Sequence, residues 1–553
     1  RPSERGLFQR LREIYTRYIR LAIRLRWPLV AVYLVTCGAA IWFLLPRIGT
    51  EIFPSVDVGQ LQLRLEAPIG TRIERTEVLT LQAMNIIRDT VGRENIQITT
   101  SFIGVQPPSY PINTIYLWTN GPHEAVLLAA LKPEAKLRGE QLKEELRARF
   151  TRDMPGIRIS FEAGDIVARV MSFGSNTPIE VAVQGPNLAD NRAHAEKVRQ
   201  ELAKLPMLRD LQYAQPLDYP TLQVAIDRDR AGQHGLTAAA VARALVAATS
   251  SSRFVDPNYW RDPASGNAFQ IQVEVPQNRV NSIEEVRALP VGPGGSGTLL
   301  SDVAEVKVAK SYGLVERYNM QRVVSLTANI HGKTLGEVVG PIRQAVARAG
   351  TPPRGSAVAI RGQVPALEQT ISGLQVGLGL AIVAIFLLLA ANFQSFRLAL
   401  AVVSPAPAVL VGVLITLLIT GTTLNVQSFL GAIMSIGIAV ANSILLVTFA
   451  EFSRHAGATV QDAGVEGGRG RLRPILMTAT AMIAGMLPIA IGFGEGADQT
   501  TPLGRAVIGG LMFATVATLT VLPAFYAIVQ RKASMQTSSL HPMDPQGKFY
   551  EPR

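Results

Sequence analysis

The spacing of the apolar runs constrains this chain more than any other feature. Five runs crowd its C-terminal third: Leu374–Ala391, Leu398–Thr420, Phe429–Ala450, Ile475–Ile491 and Ala506–Val529. A sixth, Pro28–Leu45, stands near the N-terminus. Each is long enough to cross a hydrocarbon core of about 30 Å. Residues 46–373, between the first run and the second, are ordinary polar sequence. The pattern predicts a helical membrane bundle of six spans with one large extramembrane insertion.

Charge distribution gives the orientation. Residues 1–27 carry Arg10, Arg12, Arg17, Arg20, Arg24 and Arg26 interleaved with Leu11, Ile14, Tyr18, Leu21 and Leu25. This reads as a basic amphipathic helix, either lying in the membrane interface or forming a solvated linker. Its arginines mark the cytoplasmic side, and alternation then places the insertion outside. The loop expected over Glu451–Arg473 is inside and carries Arg454, Arg469, Arg471 and Arg473, whereas Gly494–Pro502, outside, has Glu495 and Asp498 and no base. The net charge of +12 would suit a nucleic-acid binder, but the arginines form no aromatic-interleaved patch. Positive-inside topology accounts for many of them, and no nucleic-acid partner is expected. The one cysteine, Cys37, lies in the first run, so no intrachain disulfide is possible. The chain starts at Arg1 without a signal-peptide pattern, which suggests one part of a longer protein.

Inside the insertion one pattern occurs twice. Strand Gln60–Ala67, helix Thr71–Val91, strands Ile96–Val105 and Thr114–Thr119, helix Gln141–Arg152 and strand Ile157–Glu162 give β-α-β-β-α-β, the split-βαβ order. Thr71 and Glu74 match a capping box at the start of the first helix. The second copy runs through strand Pro178–Val183, helix Leu188–Leu205, strands Leu208–Tyr213 and Val323–Ile330, helix Leu335–Ala349 and strand Ala357–Arg361. Its middle encloses a further module with strand Thr221–Asp227, helix Thr237–Ala248 and strand Phe269–Val275. The expected fold is therefore a six-span bundle plus a large α+β region of two ferredoxin-like (βαββαβ) units, the second interrupted by an inserted subdomain. The boundaries are 1–27 for the interfacial helix, 28–46 for the first span and 47–165 for the first unit. The second unit takes 166–219 and 309–366, around an insert at 220–308. Residues 367–531 hold five spans, and 532–553 form a tail expected to be disordered. Loop Gly104–Asn113, with Pro107, Pro108 and Pro111, should be stiff and surface-lying.

The sequence offers no enzyme site. No cysteine–histidine cluster, phosphate loop or nucleophile elbow is present, and Gly292–Gly297 reads as a flexible turn. His123, His194, His234, His331, His455 and His541 are scattered and are expected at the surface. No methionine or carboxylate cluster suggests a metal relay, and no metal ligands are assigned. The informative polar residues lie in the spans, where they are costly and serve pathways or hold helices together. They are Asn442 and Ser443, Arg471 and Arg473, and Thr478, two turns along from Arg471. Read plainly, the arginines anchor topology and Asn442 is interhelical glue.

These residues carry a family resemblance. Arg471-Leu-Arg-Pro-Ile-Leu-Met-Thr478 resembles the start of the eleventh span of resistance-nodulation-division (RND) efflux pumps, and Gly437–Ala450 resembles the tenth. Phe53-Pro-x-x-Asp57-x-Gly59 with Pro68-x-Gly-Thr71 is similar to the start of the family's second periplasmic loop, and Glu316-Arg-Tyr-Asn319 and Ile226-Asp227 to further landmarks. The resemblance implies a C-terminal half, spans seven to twelve, of a multi-pass pump of the bacterial inner membrane. The two α+β units would be periplasmic porter subdomains and the insert a docking subdomain. It implies a secondary transporter rather than an enzyme, driven by proton motive force without a cofactor. Its partners would be a homotrimer, a periplasmic adaptor, an outer-membrane channel and membrane lipid. Asn442, Arg471 and Thr478 match the family's proton relay, but Ala441 stands where its lysine is expected. The relay carboxylates belong to the family's fourth span, so this half alone should not pump. Phe102 and Tyr116 align loosely with apolar pocket residues of multidrug members, and Tyr110 lies in the loop that resembles their switch loop, in binding or packing roles. The expected cargo is amphiphilic or hydrophobic. A non-transporting membrane scaffold and a metal-ion exporter remain alternatives.

Overall fold

The computed structural model describes residues 7–54, 59–106, 112–135, 139–163, 170–172, 174–276, 279–292, 297–492 and 497–532. Asp57, Tyr110, Pro107, Pro108, Pro111, Glu495, His541, the centre of the 292–297 turn and the tail beyond 532 lie outside those residues.

Helix α1 (Leu7–Arg24) ends at a break on Leu25, and α2 (Arg26–Leu44) follows at once. Strand β1 (Gln60–Glu66), α3 (Ile73–Val91), β2 (Ile96–Ile103), β3 (Glu124–Leu131), α4 (Gly139–Asp153) and β4 (Arg158–Glu162) form the first unit, an antiparallel sheet in the order β2-β3-β1-β4. Leu61, Leu63 and Leu65 of β1 alternate onto the helix side and pack with Ala83 and Ile87 of α3 and Leu142, Leu146 and Phe150 of α4. Two expectations fail here. The strand expected at Thr114–Thr119 is a π-helical turn, Asn113–Leu117, followed by Trp118 with φ 49°. The true third strand is Glu124–Leu131, whose Ala- and Leu-rich run is almost wholly buried and so lacks alternation. The capping box is not formed: the Thr71 hydroxyl donates to the Pro68 carbonyl at 2.6 Å and Glu74 pairs with Arg72 at 3.5 Å.

The second unit repeats the order. Strands β5 (Ile179–Gly185), β6 (Leu208–Tyr213), β12 (Gln321–Ile330) and β13 (Ala357–Gly362) lie as β6-β12-β5-β13, with β11 (Glu316–Tyr318) extending the β12 edge. Helices α5 (Leu188–Leu202) and α7 (Leu335–Arg348) cover one face. The insert between β6 and β11 holds the ribbon β7 (Tyr219–Ile226) with β10 (Ala304–Ser311), helix α6 (Ala238–Ser250) and hairpin β8–β9 (Asn258–Arg261, Ala268–Ile271). It has its own core around Val241, Leu300 and Val303.

Among the described residues, six helical segments are long and apolar enough to cross a membrane. After α2 come α8 (Val364–Phe393), the broken pair α9 (Phe396–Val403) and α10 (Ala406–Ile419), α11 (Val426–His455), α12 (Val460–Ile491) and α13 (Thr501–Val529). Proline explains the α9–α10 break, because it removes a backbone donor and clashes with the preceding turn. The Tyr33 hydroxyl bridges the break, donating to the Ser404 carbonyl at 2.8 Å and accepting from the Ala408 amide at 3.1 Å. Gly412 of α10 meets Gly509 of α13 so closely that a Cβ on Gly412 would collide with the Gly509 carbonyl. The inner loop expected over Glu451–Arg473 is mostly helix, since α12 already begins at Val460. Its glycines admit neighbours: Gly467 lies against Ala450, and Gly468 against Tyr15 and Ile19 of α1.

One seam joins the membrane and α+β regions. Residues 49–52 run beside 424–426, with hydrogen bonds Leu424 N–H to Gly49 O (2.8 Å), Glu51 N–H to Leu424 O (3.1 Å) and Val426 N–H to Ile52 O (3.2 Å). From the other side the Gly336 amide, in α7, donates to Thr50 O at 3.0 Å.

Candidate functional site

Two polar constellations stand out, one in the first α+β unit and one in the bundle. In the first unit, the residues of β1 that point away from the helices are Gln62, Arg64 and Glu66, and they are also buried. Cross-strand register sets Glu66 opposite both Glu124 and Arg158, and Gln62 opposite Glu162. Arg64 holds Glu162 at 2.7 Å through Nε and Glu124 at 3.1 Å through Nη1, and its Nη2 donates to the Leu117 carbonyl at 2.5 Å. That last bond explains the helical turn at 113–117, which brings a backbone acceptor to a buried cation. Glu162 also accepts from Gln62 (2.6 Å), and Glu124 from the side chain (2.9 Å) and amide (3.1 Å) of Asn120. Arg158 reaches in to pair with Glu66.

His123 sits behind these carboxylates with no exposed surface, against Tyr219 at 5.8 Å between ring centroids. Among the described residues neither ring nitrogen has a hydrogen-bond partner; Nε2 is 3.6 Å from Glu124 Oε1. One ligand atom each from Glu66, His123 and Glu124 lie within 4.8 Å of one another. A tetrahedral divalent ion with bonds of 2.0–2.1 Å sets ligands about 3.4 Å apart, so loading requires a contraction on the order of 1 Å. The carboxylates here outnumber the cations around them. Glu66, Glu124 and Glu162 are faced by Arg64 and Arg158. Burial, opposed by Glu124 and helped by Arg158, pushes the His123 pKa down and so favours the neutral ring. Burial pushes the Glu66 carboxyl up, with Arg158 opposing and Glu124 reinforcing. Burial alone would lower the Arg64 pKa, but Glu162 and Glu124 overrule it and keep it raised.

This cluster opens on a cavity of about 530 Å³ between the two units. Arg64, Glu66, Trp118, Glu124 and Glu162 line it from the first unit and Glu180, Tyr213, Glu316, Tyr318 and Arg361 from the second. Beside it, Arg147 of α4 binds Asp210 of β6 through two bonds, 2.9 and 2.8 Å, and Asn329 bridges Asp210 and the Phe161 carbonyl. Of the expected pocket residues, the two that are described, Phe102 and Tyr116, are not in this wall. Phe102 is half-buried on β2 opposite Val126, and Tyr116 is 37% exposed on the helical turn. The expectation of surface histidines is corrected for His123 and His194, both buried, and the expectation that assigned no metal ligands did not consider the donor atoms of Glu66, His123 and Glu124, which lie close together. The signal available in the sequence was Glu66 on the polar phase of a strand whose other phase is all leucine.

In the bundle, Asn442 of α11 and Thr478 of α12 are brought together, with Thr478 Oγ1 3.4 Å from Asn442 Oδ1. Thr478 also donates to the Ile475 carbonyl at 3.0 Å. Arg471 lies farther toward the inner side, its guanidinium 5.4 Å from the centre of the Phe449 ring, and among the described residues its buried Nε has no hydrogen-bond partner. Glu451, at the inner end of α11, cannot serve it, being held by Tyr526 (2.6 Å), Gln530 (2.7 Å) and Arg454 (2.8 Å). Ala441, Thr478 and Met477 face the open side of the bundle. That side is lined by sparsely packed helices: the span segments of α8 and α12 are 6% and 11% buried, against 50% for α11 and 56% for α13.

A sequence model of the AcrB/AcrD/AcrF family matches residues 2–530. The chain belongs to this family. Among curated relatives, the cobalt-zinc-cadmium resistance protein CzcA of Cupriavidus metallidurans is 27% identical over 91% of this chain and 47% of its own length. The multidrug/solvent efflux pump membrane transporter MepB of Pseudomonas putida is also 27% identical, over 93% of this chain and 48% of its own. The fold matches the crystal structure of a heavy metal efflux pump with a TM-score of 0.80, at 24% identity, over 95% of this chain and 53% of that one. The chain thus spans about half the length of the relatives it matches. Family membership places it among RND membrane transporters, with metal-resistance and multidrug proteins as relatives of equal identity.

Proposed function

We propose that this chain is the C-terminal half of a proton-driven inner-membrane exporter whose cargo is a divalent transition-metal cation. The observation carrying the cargo is His123, a buried imidazole with two unpartnered nitrogens beside Glu66 and Glu124. Neutral imidazole and carboxylate are the ligands such cations take. The metal-resistance names among the relatives support this reading. The two α+β units act as ferredoxin-like porter subdomains, the insert as a docking subdomain, and the working assembly is a trimer with a periplasmic adaptor and an outer-membrane channel.

Asn442, Arg471 and Thr478 are the share of the proton relay that this half contributes. An unpaired arginine near the membrane is costly, and a carboxylate from the other half would pair with Arg471. Protonation of that carboxylate releases the pair, and a proton falling through 100 mV supplies about 2.3 kcal/mol. A conformational change follows because the two protonation states bind Arg471 and Thr478 differently. Ala441 removes a cation from this set, leaving Arg471 as the base-side partner.

The full-length protein in proteoliposomes tests this. Added Zn²⁺ should drive proton movement, His123→Ala should abolish it, and Arg471→Ala should uncouple protons without loss of Zn²⁺ binding. Zn²⁺ transport undiminished in His123→Ala removes the cargo assignment. A second reading, amphiphile export, draws on Trp118, Tyr213 and Tyr318 in the cavity wall. It gains if an amphiphile, and not Zn²⁺, drives the proton movement.

A further inference from the structure

Helix α1 has two apolar faces, and the bundle uses only one. Tyr15, Ile19, Ala22 and Ile23 face inward: Ile19 and Ile23 pack with Val465 of α12 and Ala527 of α13, and the Tyr15 hydroxyl donates to the Leu519 carbonyl at 2.8 Å. Contacts of Ile23 with Gly464, Tyr15 with Gly468 and Phe8 with Arg473 lay the helix along the inner part of α12, short of its membrane-crossing stretch. The second face is Leu11, Ile14, Tyr18, Leu21 and Leu25, spaced three and four apart and 46–64% exposed. Directly beside it run Arg10, Arg17, Arg20 and Arg24, all exposed. Arg10, Arg17 and Arg24 recur every seven residues, about 10 Å apart along one side of the helix. Among the described residues none of these four arginines pairs with a carboxylate.

We propose that this surface binds anionic phospholipids of the cytoplasmic leaflet, the apolar face entering the acyl boundary and the arginines holding phosphodiester headgroups. A flat array of guanidinium groups matches phosphate oxygens. The adjoining exposed leucines give a bilayer its apolar contact and give an acidic protein or nucleic acid none. Position agrees, since α2 enters the membrane two residues after α1 ends, with half-exposed Trp27 at the turn. The consequence is lipid control of the relay helix, because α1 packs on α12, which carries Arg471 and Thr478.

Trp27 is a built-in reporter. The full chain with Trp42, Trp118 and Trp260 replaced by Phe is reconstituted into phosphatidylcholine vesicles. These carry the same minor fraction of either brominated phosphatidylglycerol or brominated phosphatidylcholine. Each arginine near an anionic surface favours it by about 1 kcal/mol, so brominated phosphatidylglycerol should quench Trp27 roughly fivefold more strongly or better. Changing Arg10, Arg17, Arg20 and Arg24 together to Gln should erase the preference, and changing them to Lys should keep most of it. Equal quenching by both lipids in the parent, or a preference that survives the Gln changes, overturns the proposal. So does absence of quenching by either lipid, which would mean that protein covers this face.

Discussion

The two α+β units share a topology and differ in what they bury behind it. In both, the central strand turns leucine, isoleucine or valine toward two helices: Leu61, Leu63 and Leu65 in β1, Ile179, Val181 and Val183 in β5. On the opposite face β1 carries Gln62, Arg64 and Glu66, and β5 carries Glu180, Ala182 and Gln184. The first set is locked into a buried lattice of ions. The second makes looser bonds: Glu180 accepts from Ser325 at 2.7 Å and lies 3.5 Å from Arg361. One phase of the alternation builds the fold, and the other is free to hold charge. The first unit stores that charge where water is scarce, and its stability and any cation binding are therefore bound together.

The sharpest way to break this comparison is to remove the central cation of each lattice. Arg64→Met strands Glu124 and Glu162 without their partner and should cost about 3–5 kcal/mol. Arg361→Met in the second unit should cost about 1 kcal/mol or less. Thermal melting of the full chain in detergent ranks the two, and adding Glu124→Gln and Glu162→Gln to Arg64→Met should recover much of the loss. Next in size is cation binding. Glu66→Gln should weaken Zn²⁺ binding to the chain by about tenfold or more, measured by titration calorimetry, while His194→Ala in the second unit leaves it unchanged.

Acid should separate the units as well. Burial, with Lys197 adding to it, depresses the His194 pKa. The unfolded chain then takes up more protons below the ordinary value of about 6.5, so the stability from neutral His194 is whole above that pH and is lost as pH falls. In the first unit the depressed His123 acts in the same direction, but Glu66 acts against it. Its raised pKa gives stability that is present at acid pH and lost as pH rises through the folded value. Hydrogen exchange between pH 7 and pH 5 should therefore show the larger loosening around α5, and His194→Gln should flatten it. An equal or greater loosening around β1 would contradict this. The smallest contrast is at helix starts. At the start of α7 the Thr334 amide and hydroxyl both donate to the Glu337 carboxylate at 2.9 Å, so Glu337→Ala should cost about 1 kcal/mol, whereas Glu74→Ala at α3 stays within about 0.5 kcal/mol.

Much of this architecture is legible in the sequence, because periodicity reports burial on one face. The spans, the doubled βαββαβ order, and the place of the insert all follow from it. Legibility stopped where burial came from two sides or from another part of the chain. Glu124–Leu131 lacks alternation because both its faces are covered. The start of α12, Val460–Arg473, is rich in glycine and charge and reads as a loop, yet its glycines are the surface on which α1 and α11 pack. His123 follows Gly121-Pro122, a turn signal, and only the strand register delivers it to Glu66. In the bundle, the family resemblance groups Asn442 with Thr478, and the structure sets them 3.4 Å apart. That Arg471 would rest on Phe449 was not, because the contact joins residues on different spans.

The seam at residues 49–52 has a mechanical consequence. It clasps the outer end of α11 to Thr50, and Thr50 to the first turn of α7, through backbone bonds that leave little play. Helix α11 has 30 residues, a rod of about 45 Å. A tilt of about 5° pivoting at its inner end would sweep the clasped end by roughly 4 Å. That stroke passes to the second unit first, because α7 is bonded to Thr50. A rocking of the rod is thus geared to shear one unit past the other, and the wall they share is the one that encloses the cavity.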